Sequence, residues 1–140
     1  MGKKYTNFKV NLDGLDSKSQ WYTVVTQYNY EQYVVNSINK IIEENKSNPF
    51  IFEAFSGIVV TEQRTVNKKG VVRTKVKNEK VIPNYVFVKT IMNVDTWNLL
   101  TNLTGVSAIL CTSGVPVATT DTKIAEIKNW LEQTSMIGEI

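Results

Sequence analysis

The sequence predicts an α+β domain in which helices cover a mixed, largely antiparallel sheet, and three observations predict it. Short runs rich in β-branched and aromatic residues, such as QWYTVVTQ at 20–27, read as strands. Between them lie segments whose apolar residues recur at helical spacing, as in YEQYVVNSINKIIEEN at 30–45. The resulting order is β-α-β-(hairpin)-β-α-β-α, in 140 residues that suffice for one core.

Each element follows from its residues. Residues 1–19 are polar and aperiodic, and a flexible tail is expected there. The first strand, 20–27, leads into a helix with Val34, Ile38, Ile41 and Ile42 on one face and Val35 beside them. Glu31 stands in its first turn, where the helix dipole favours a negative charge. Pro49 in KSNPF ends that helix, because it restricts the residue before it and has no N–H to donate. FIFEAFSGIVVTEQRTV (50–66) reads as a long strand with a bulge or bend at Gly57. NKKG (67–70) is a hairpin tip, with Asn67 and Gly70 suited to turn conformations.

VVRTKVK (71–77) then places Val72, Thr74 and Val76 on one side and Arg73, Lys75 and Lys77 on the other. Pro83 and Asn84 read as a turn before the strand YVFVKTI (85–91). VDTWNLLTNL (94–103) is a short helix that Asp95 can cap, with Trp97, Leu100 and Leu103 inward. GVSAILC (105–111) is a strand, TSGVPVATT (112–120) a loop, and DTKIAEIKNWLEQT (121–134) a helix with Ile124, Ile127 and Leu131 at its apolar spacing, plus Trp130.

Composition excludes several chemistries. There is no histidine and one cysteine, so no Ser–His or Cys–His nucleophile, no Cys/His zinc site and no internal disulfide can form. Cys111 lies in an apolar run and reads as a small buried hydrophobe, in a reducing, cytoplasmic setting. No phosphate loop or carboxylate pair is present, so no cofactor and no enzyme activity are expected. No apolar run reaches the ~18 residues of a membrane span, and the start lacks the apolar segment of a secretory leader.

Charge is distributed unevenly. Residues 64–80 hold seven Lys/Arg against one Glu, while the rest of the chain is net acidic, although the whole sums to only +3. Such an arm suits contact with a polyanion at one place. A solvated hairpin edge would carry lysines as well.

The order of motifs resembles a known family. WYTVV (21–25) followed by QYNYE (27–31) resembles the WYVV…SGYE opening of the N-terminal domain of bacterial NusG transcription elongation factors. IVVTEQRTV (58–66) resembles that family's VVPTEE strand, and IPNYVFVKTIMNVDTW (82–97) its FPGYVLVxMxMNDxSW signature. LTGVSAIL (103–110) is similar to its PGVxGF element, so the resemblance spans about 20–134. There are departures: the family's strand proline is Thr61, its aromatic before the second proline is Ile82, and its two turn glycines are Asn29 and Asn84. Asn is the non-Gly residue that best tolerates a left-handed backbone, so both turns can survive.

The resemblance implies a ferredoxin-like domain with a four-stranded sheet and a protruding basic hairpin, acting without chemistry of its own. It implies docking on RNA polymerase at the clamp helices of the largest subunit. It also implies bridging of the cleft and contact with upstream and non-template DNA, which tunes elongation, pausing and termination. Residues matching the docking surface are Tyr22, Tyr28, Tyr30, Ile82, Pro83 and Tyr85, whereas Trp21 and Phe87 read as core. Lys68, Lys69, Arg73 and Lys75 would contact phosphates, and Asn102 would lie nearest the non-template strand, though it reads equally as a helix C-terminal residue.

A monomer is expected. The family's C-terminal KOW domain, which recruits ribosome or termination factors, has no counterpart here. Residues 135–140 are expected to begin its linker, in a sequence truncated from a longer protein. The rival reading is an RRM-like module for single-stranded RNA. NYVFVKT has the aromatics for that role but lacks the basic-Gly lead and the small residue of the base-stacking motif.

Overall fold

The computed structural model describes residues 18–44 and 49–137, with backbone alone at 60–63, 76–79 and 134–137. The tail expected over 1–19 falls almost wholly outside the described residues, whereas of the linker expected over 135–140, residues 135–137 continue the last helix and 138–140 lie outside them. Four strands set the frame: β1 (Gln20–Thr26), β2 (Ile51–Val66), β3 (Val72–Thr90) and β4 (Val106–Ile109). They lie in the order β2-β3-β1-β4, and every pairing is antiparallel. Helix α1 (Glu31–Glu44) joins β1 to β2, and α2 (Val94–Thr101) joins β3 to β4. This is the expected ferredoxin-like α+β plan.

The period-2 alternation of the central strands sorts two cores. Tyr22, Val24, Val86 and Val88 pack with Val34, Val35 and Ile38 of α1 and with Trp97 and Leu100 of α2. On the other face Trp21 and Phe87 meet Ile124 of α3 (Asp121–Ile137), with Phe55, Ile82 and Ile127 against them. Helices thus cover both faces of the sheet. For that reason Trp21, Tyr22, Thr23 and Val24 are buried in succession, with no polar alternation to betray which way each points.

Several local expectations are corrected. Pro83 and Asn84 make no turn: β3 runs unbroken through them. The β2 register passes from Ser56↔Val86 to Gly57↔Ile82, so Pro83, Asn84 and Tyr85 bulge out with no partner on β2. Proline fits there because a bulge asks no ladder N–H of it. Tyr85 is still held, on the other side, by pairing with Val25 of β1. The cap of α2 is Asn93, not Asp95: Asn93 has extended backbone and its side chain accepts from the Thr96 amide at 2.8 Å.

The segment expected as a loop at 112–120 contains β5 (Cys111–Thr112), β6 (Val115–Pro116) and β7 (Ala118–Thr119). Ser113 and Gly114 both have positive φ, the signature of the two-residue turn that joins β5 to β6. β7 then pairs with β1 at Trp21 and Tyr22, continuing the edge that β4 occupies at Val24–Thr26, so the sheet counts five strands. Cys111 is only half-buried on this ribbon, and burial pushes its thiol pKa up. Trp130 is exposed, flanking the apolar stripe of α3.

Candidate functional site

The exposed aromatic side chains gather where β1 hands over to α1. Gln27, just past β1, donates its amide to the Gly105 carbonyl at 2.8 Å, and Tyr30 donates its amide back to the Gln27 carbonyl. Between them Asn29 takes φ 70°, the left-handed conformation its side chain tolerates. The tight turn projects Tyr28 and Tyr30, and the first turn of α1 adds Tyr33. These three and Tyr85 are between 38% and 68% exposed. Tyr30 and Tyr33 meet edge to face at 5.9 Å. Tyr30 also lies directly over Gly105, where a Cβ would come within 2.6 Å of its ring.

A polar junction fixes this surface to the sheet. Glu31 is fully buried, and its Oε2 accepts a 2.7 Å hydrogen bond from the backbone amide of Asn84 in the β3 bulge. Asn84 has φ 69° and donates its side-chain amide to the Thr26 carbonyl at 3.1 Å. Lys80 approaches Glu31 Oε1 at 3.5 Å, donates to Asn29 Oδ1, and places its ammonium 3.8 Å from the centre of the Tyr28 ring. Burial alone would push the Glu31 carboxyl up. The hydrogen bonds from the Asn84 amide and its own amide, with the Lys80 ammonium, outweigh burial and hold it below its ordinary value.

The six expected docking residues divide accordingly. Tyr28, Tyr30, Pro83 and Tyr85 are exposed. Ile82 is half-buried against the Trp21–Phe87 cluster, seated opposite Gly57. Tyr22 is corrected: at 1% exposure it faces α1 from inside the core, with its hydroxyl donating to Gln20 Oε1. Sequence reasoning missed Tyr33. Its place off the Val34–Ile38 face was a readable sign that it points outward. It also missed Glu31 and Lys80 as the mount, because pairing across 49 to 53 residues leaves no local pattern.

The basic residues stand apart from this surface. Beyond the bulge, β2 and β3 pair from Ile58↔Lys80 to Val66↔Val72, and β1 pairs β3 only over Tyr85–Thr90. Lys68, Lys69, Arg73 and Lys75 are all exposed on this two-stranded ribbon. Asn102 is not brought to the ribbon. It is the C-terminal cap of α2, donating its side-chain amide to the Asn98 carbonyl at 2.7 Å, and it lines a cleft of about 550 Å³ with Phe50 and Leu99. Among the described residues, no group of three or more metal-ligating side chains converges, and no helix is long and apolar enough to cross a membrane.

Comparison with known proteins identifies the family. The family model described as transcription termination factor nusG matches residues 19–128. A transcription termination/antitermination protein NusG from Halalkalibacterium halodurans is 30% identical over 122 residues, covering 87% of this chain and 66% of that protein. The Bacillus subtilis protein of the same name is 32% identical over 97 residues, covering 69% and 52%. The chain thus spans between about half and two thirds of the length of these relatives.

Among solved structures, a NusG from Thermotoga maritima superposes with a TM-score of 0.56 at 25% identity, over 83% of this chain and 59% of that one. A chain from a Spt4 heterodimer complex of Methanococcus jannaschii superposes at 0.51 over 78% and 95%, with 12% identity, which speaks for the fold alone. With the motifs in order, the sheet in the family's topology and the family model covering most of its length, this chain belongs to the NusG family of transcription termination factors, which are not enzymes.

Proposed function

We propose that this chain is the RNA-polymerase-binding domain of a transcription elongation factor. It docks on the clamp helices of the largest subunit through the face bearing Tyr28, Tyr30, Tyr33, Pro83 and Tyr85. From there it bridges the cleft, and its ribbon and Asn102 contact upstream and non-template DNA to modulate elongation, pausing and termination. The observation that carries this reading is the cluster of exposed tyrosines on a mount of part-buried hydrogen bonds around the buried Glu31 carboxylate. Aromatics held in place lose little entropy on binding, and such residues dominate interface energetics.

The RRM-like alternative requires a sheet face open to RNA. Here the face bearing Trp21 and Phe87 is covered by α3, and both rings are buried. The test is binding of the purified chain to core RNA polymerase, with an isolated clamp-helix fragment as competitor. Tyr28→Ala with Tyr85→Ala is expected to weaken binding more than tenfold while the circular dichroism spectrum is unchanged. Undiminished binding by that double variant, or failure of the fragment to compete, would refute the assignment.

A further inference from the structure

The tip of the β2–β3 ribbon combines two features that phosphate contact alone does not call for. First, it is rigid. Asn67 Oδ1 accepts from the amides of Lys69 and Val71 at 2.8 and 2.9 Å, Asn67 and Val71 bond through their backbones, and Gly70 takes φ 78°. Second, it is apolar on one side. Val66 and Val72 face each other in the last rung, Val71 adjoins them, and all three are between 49% and 66% exposed. A loop that served only solubility would have no use for three exposed valines on a preorganised turn.

The surroundings say what covers them. No Asp or Glu occurs from 63 to 78, while Arg64, Lys68, Lys69, Arg73 and Lys75 surround the tip. In a strand pair, directly opposed residues share a face and successive pairs alternate. Arg64 therefore lies behind the valines on their face, and Arg73 and Lys75 lie on the other. The occupant is a polyanion that also offers apolar groups at the floor of a groove.

We infer that the ribbon enters the major groove of duplex DNA and seats Val66, Val71 and Val72 against thymine 5-methyl groups, with the surrounding cations on the flanking phosphates. This deepens the DNA-contact part of the proposed function and rests on it. Dimensions select the groove. Paired strands lie about 4.8 Å apart, and the major groove, about 12 Å wide, admits a two-stranded ribbon, whereas the minor groove of about 6 Å does not. The free ribbon runs from Ile58↔Lys80 to Val66↔Val72, about 27 Å at ~3.4 Å per residue, enough to follow the groove for most of a helical turn. Valine is also too short for the apolar wedges that pry open base steps from the minor groove. Among the bases of DNA only thymine presents a methyl on the major-groove floor.

The experiment measures binding of the whole chain, without polymerase, to a fluorescent A·T-rich duplex and to the same duplex with deoxyuridine replacing thymidine. Each methyl group taken out of the interface is expected to weaken binding about fourfold. Val66→Ser with Val71→Ser and Val72→Ser, at exposed positions that leave the fold intact, is expected to weaken binding to the thymine duplex and to abolish the difference between duplexes. Lys68→Gln with Lys69→Gln is expected to reduce the slope of log affinity against log salt by about 2, and the valine variant to leave that slope unchanged. Equal binding to both duplexes overturns the inference. So do displacement by a minor-groove ligand, equal affinity for double-stranded RNA with its inaccessible major groove, or chain self-association that the valine variant abolishes. Failure of the wild-type chain to bind either duplex, with polymerase binding intact, would overturn this inference and leave the docking assignment standing.

Discussion

The Glu31 carboxylate accepts a 2.7 Å hydrogen bond from the backbone amide of Asn84, a residue 53 positions away in the β3 bulge. That one bond ties the start of α1 to the place where β3 leaves the β2 ladder by three residues. Tyr28 and Tyr30 stand on one side of the tie and Tyr85 on the other, so a single buried carboxylate sets where the exposed aromatics sit relative to each other. Lys80 extends the tie to the root of the ribbon, since it pairs with Glu31 and lies opposite Ile58. The tyrosine face and the basic ribbon therefore share one joint.

Removing the carboxylate should be costly. Glu31→Ala leaves the Asn84 amide without its acceptor in a closed site and deprives Lys80 of its counter-charge, a loss of about 2 kcal/mol. Glu31→Gln keeps an acceptor of the same shape for the amide, and about half that loss is expected. Urea unfolding of the two variants checks the order. If Ala and Gln were equally tolerated, the joint would not depend on this bond.

The same carboxylate predicts an acid limb. Its folded pKa lies below its unfolded value, so below about pH 4.3, the ordinary range for Glu, the unfolded chain binds more protons than the folded one. Stability from this group is then fully present above that range and lost as pH falls through the lower folded value. Glu31→Gln cannot titrate. The difference in unfolding free energy between wild type and Glu31→Gln should shrink as pH drops from 6 to 3, and a constant difference would contradict the sign argued here.

Features governed by neighbouring residues were legible before the structure. The order of elements, the Asn67–Gly70 tip, the Gly57 irregularity and the tolerance of Asn29 and Asn84 for positive φ all follow from local chemistry. Features set by distant pairing were not. Pro83-Asn84 reads as a turn in isolation, and the pairing of Tyr85 with Val25, with the bonds from Asn84 to Glu31 and Thr26, keeps β3 continuous through it. Tyr22 could not be told from its neighbours because α3 closes the face that would otherwise have been polar. Asn93 outcompeted Asp95 as cap by a geometric detail, its extended backbone one residue before α2.

Asn84 performs two tasks that substitutions can separate. Asn84→Ala forfeits both the bond to Thr26 and the tolerance of φ 69°, and should cost about 2 kcal/mol. Asn84→Gly forfeits only the bond and relieves the backbone, so a loss of about 1 kcal/mol is expected. Urea midpoints should rank wild type, Gly, Ala in falling order. Equal losses for Gly and Ala would show that the left-handed conformation is not what Asn supplies.

Gly105 carries the remaining constraint on the tyrosine face. Its φ of 93° disfavours any side chain, and a Cβ there would sit 2.6 Å from Tyr30 Cδ2 and 2.8 Å from Tyr30 Cβ. Gly105→Ala must therefore push Tyr30 aside, and the shift reaches Tyr33 through their edge-to-face contact. A loss of about 2–3 kcal/mol in stability is expected from backbone strain and overpacking together. Two causes imply a partial rescue: adding Tyr30→Ala removes the contacts with the ring but leaves the approach to the residue's own Cβ and the backbone strain. In a double-mutant cycle the Gly105→Ala and Tyr30→Ala effects should be less than additive by about 1 kcal/mol or more, beyond the ~0.5 kcal/mol scatter of independent sites. Strict additivity would mean that Tyr30 does not rest on Gly105 in solution.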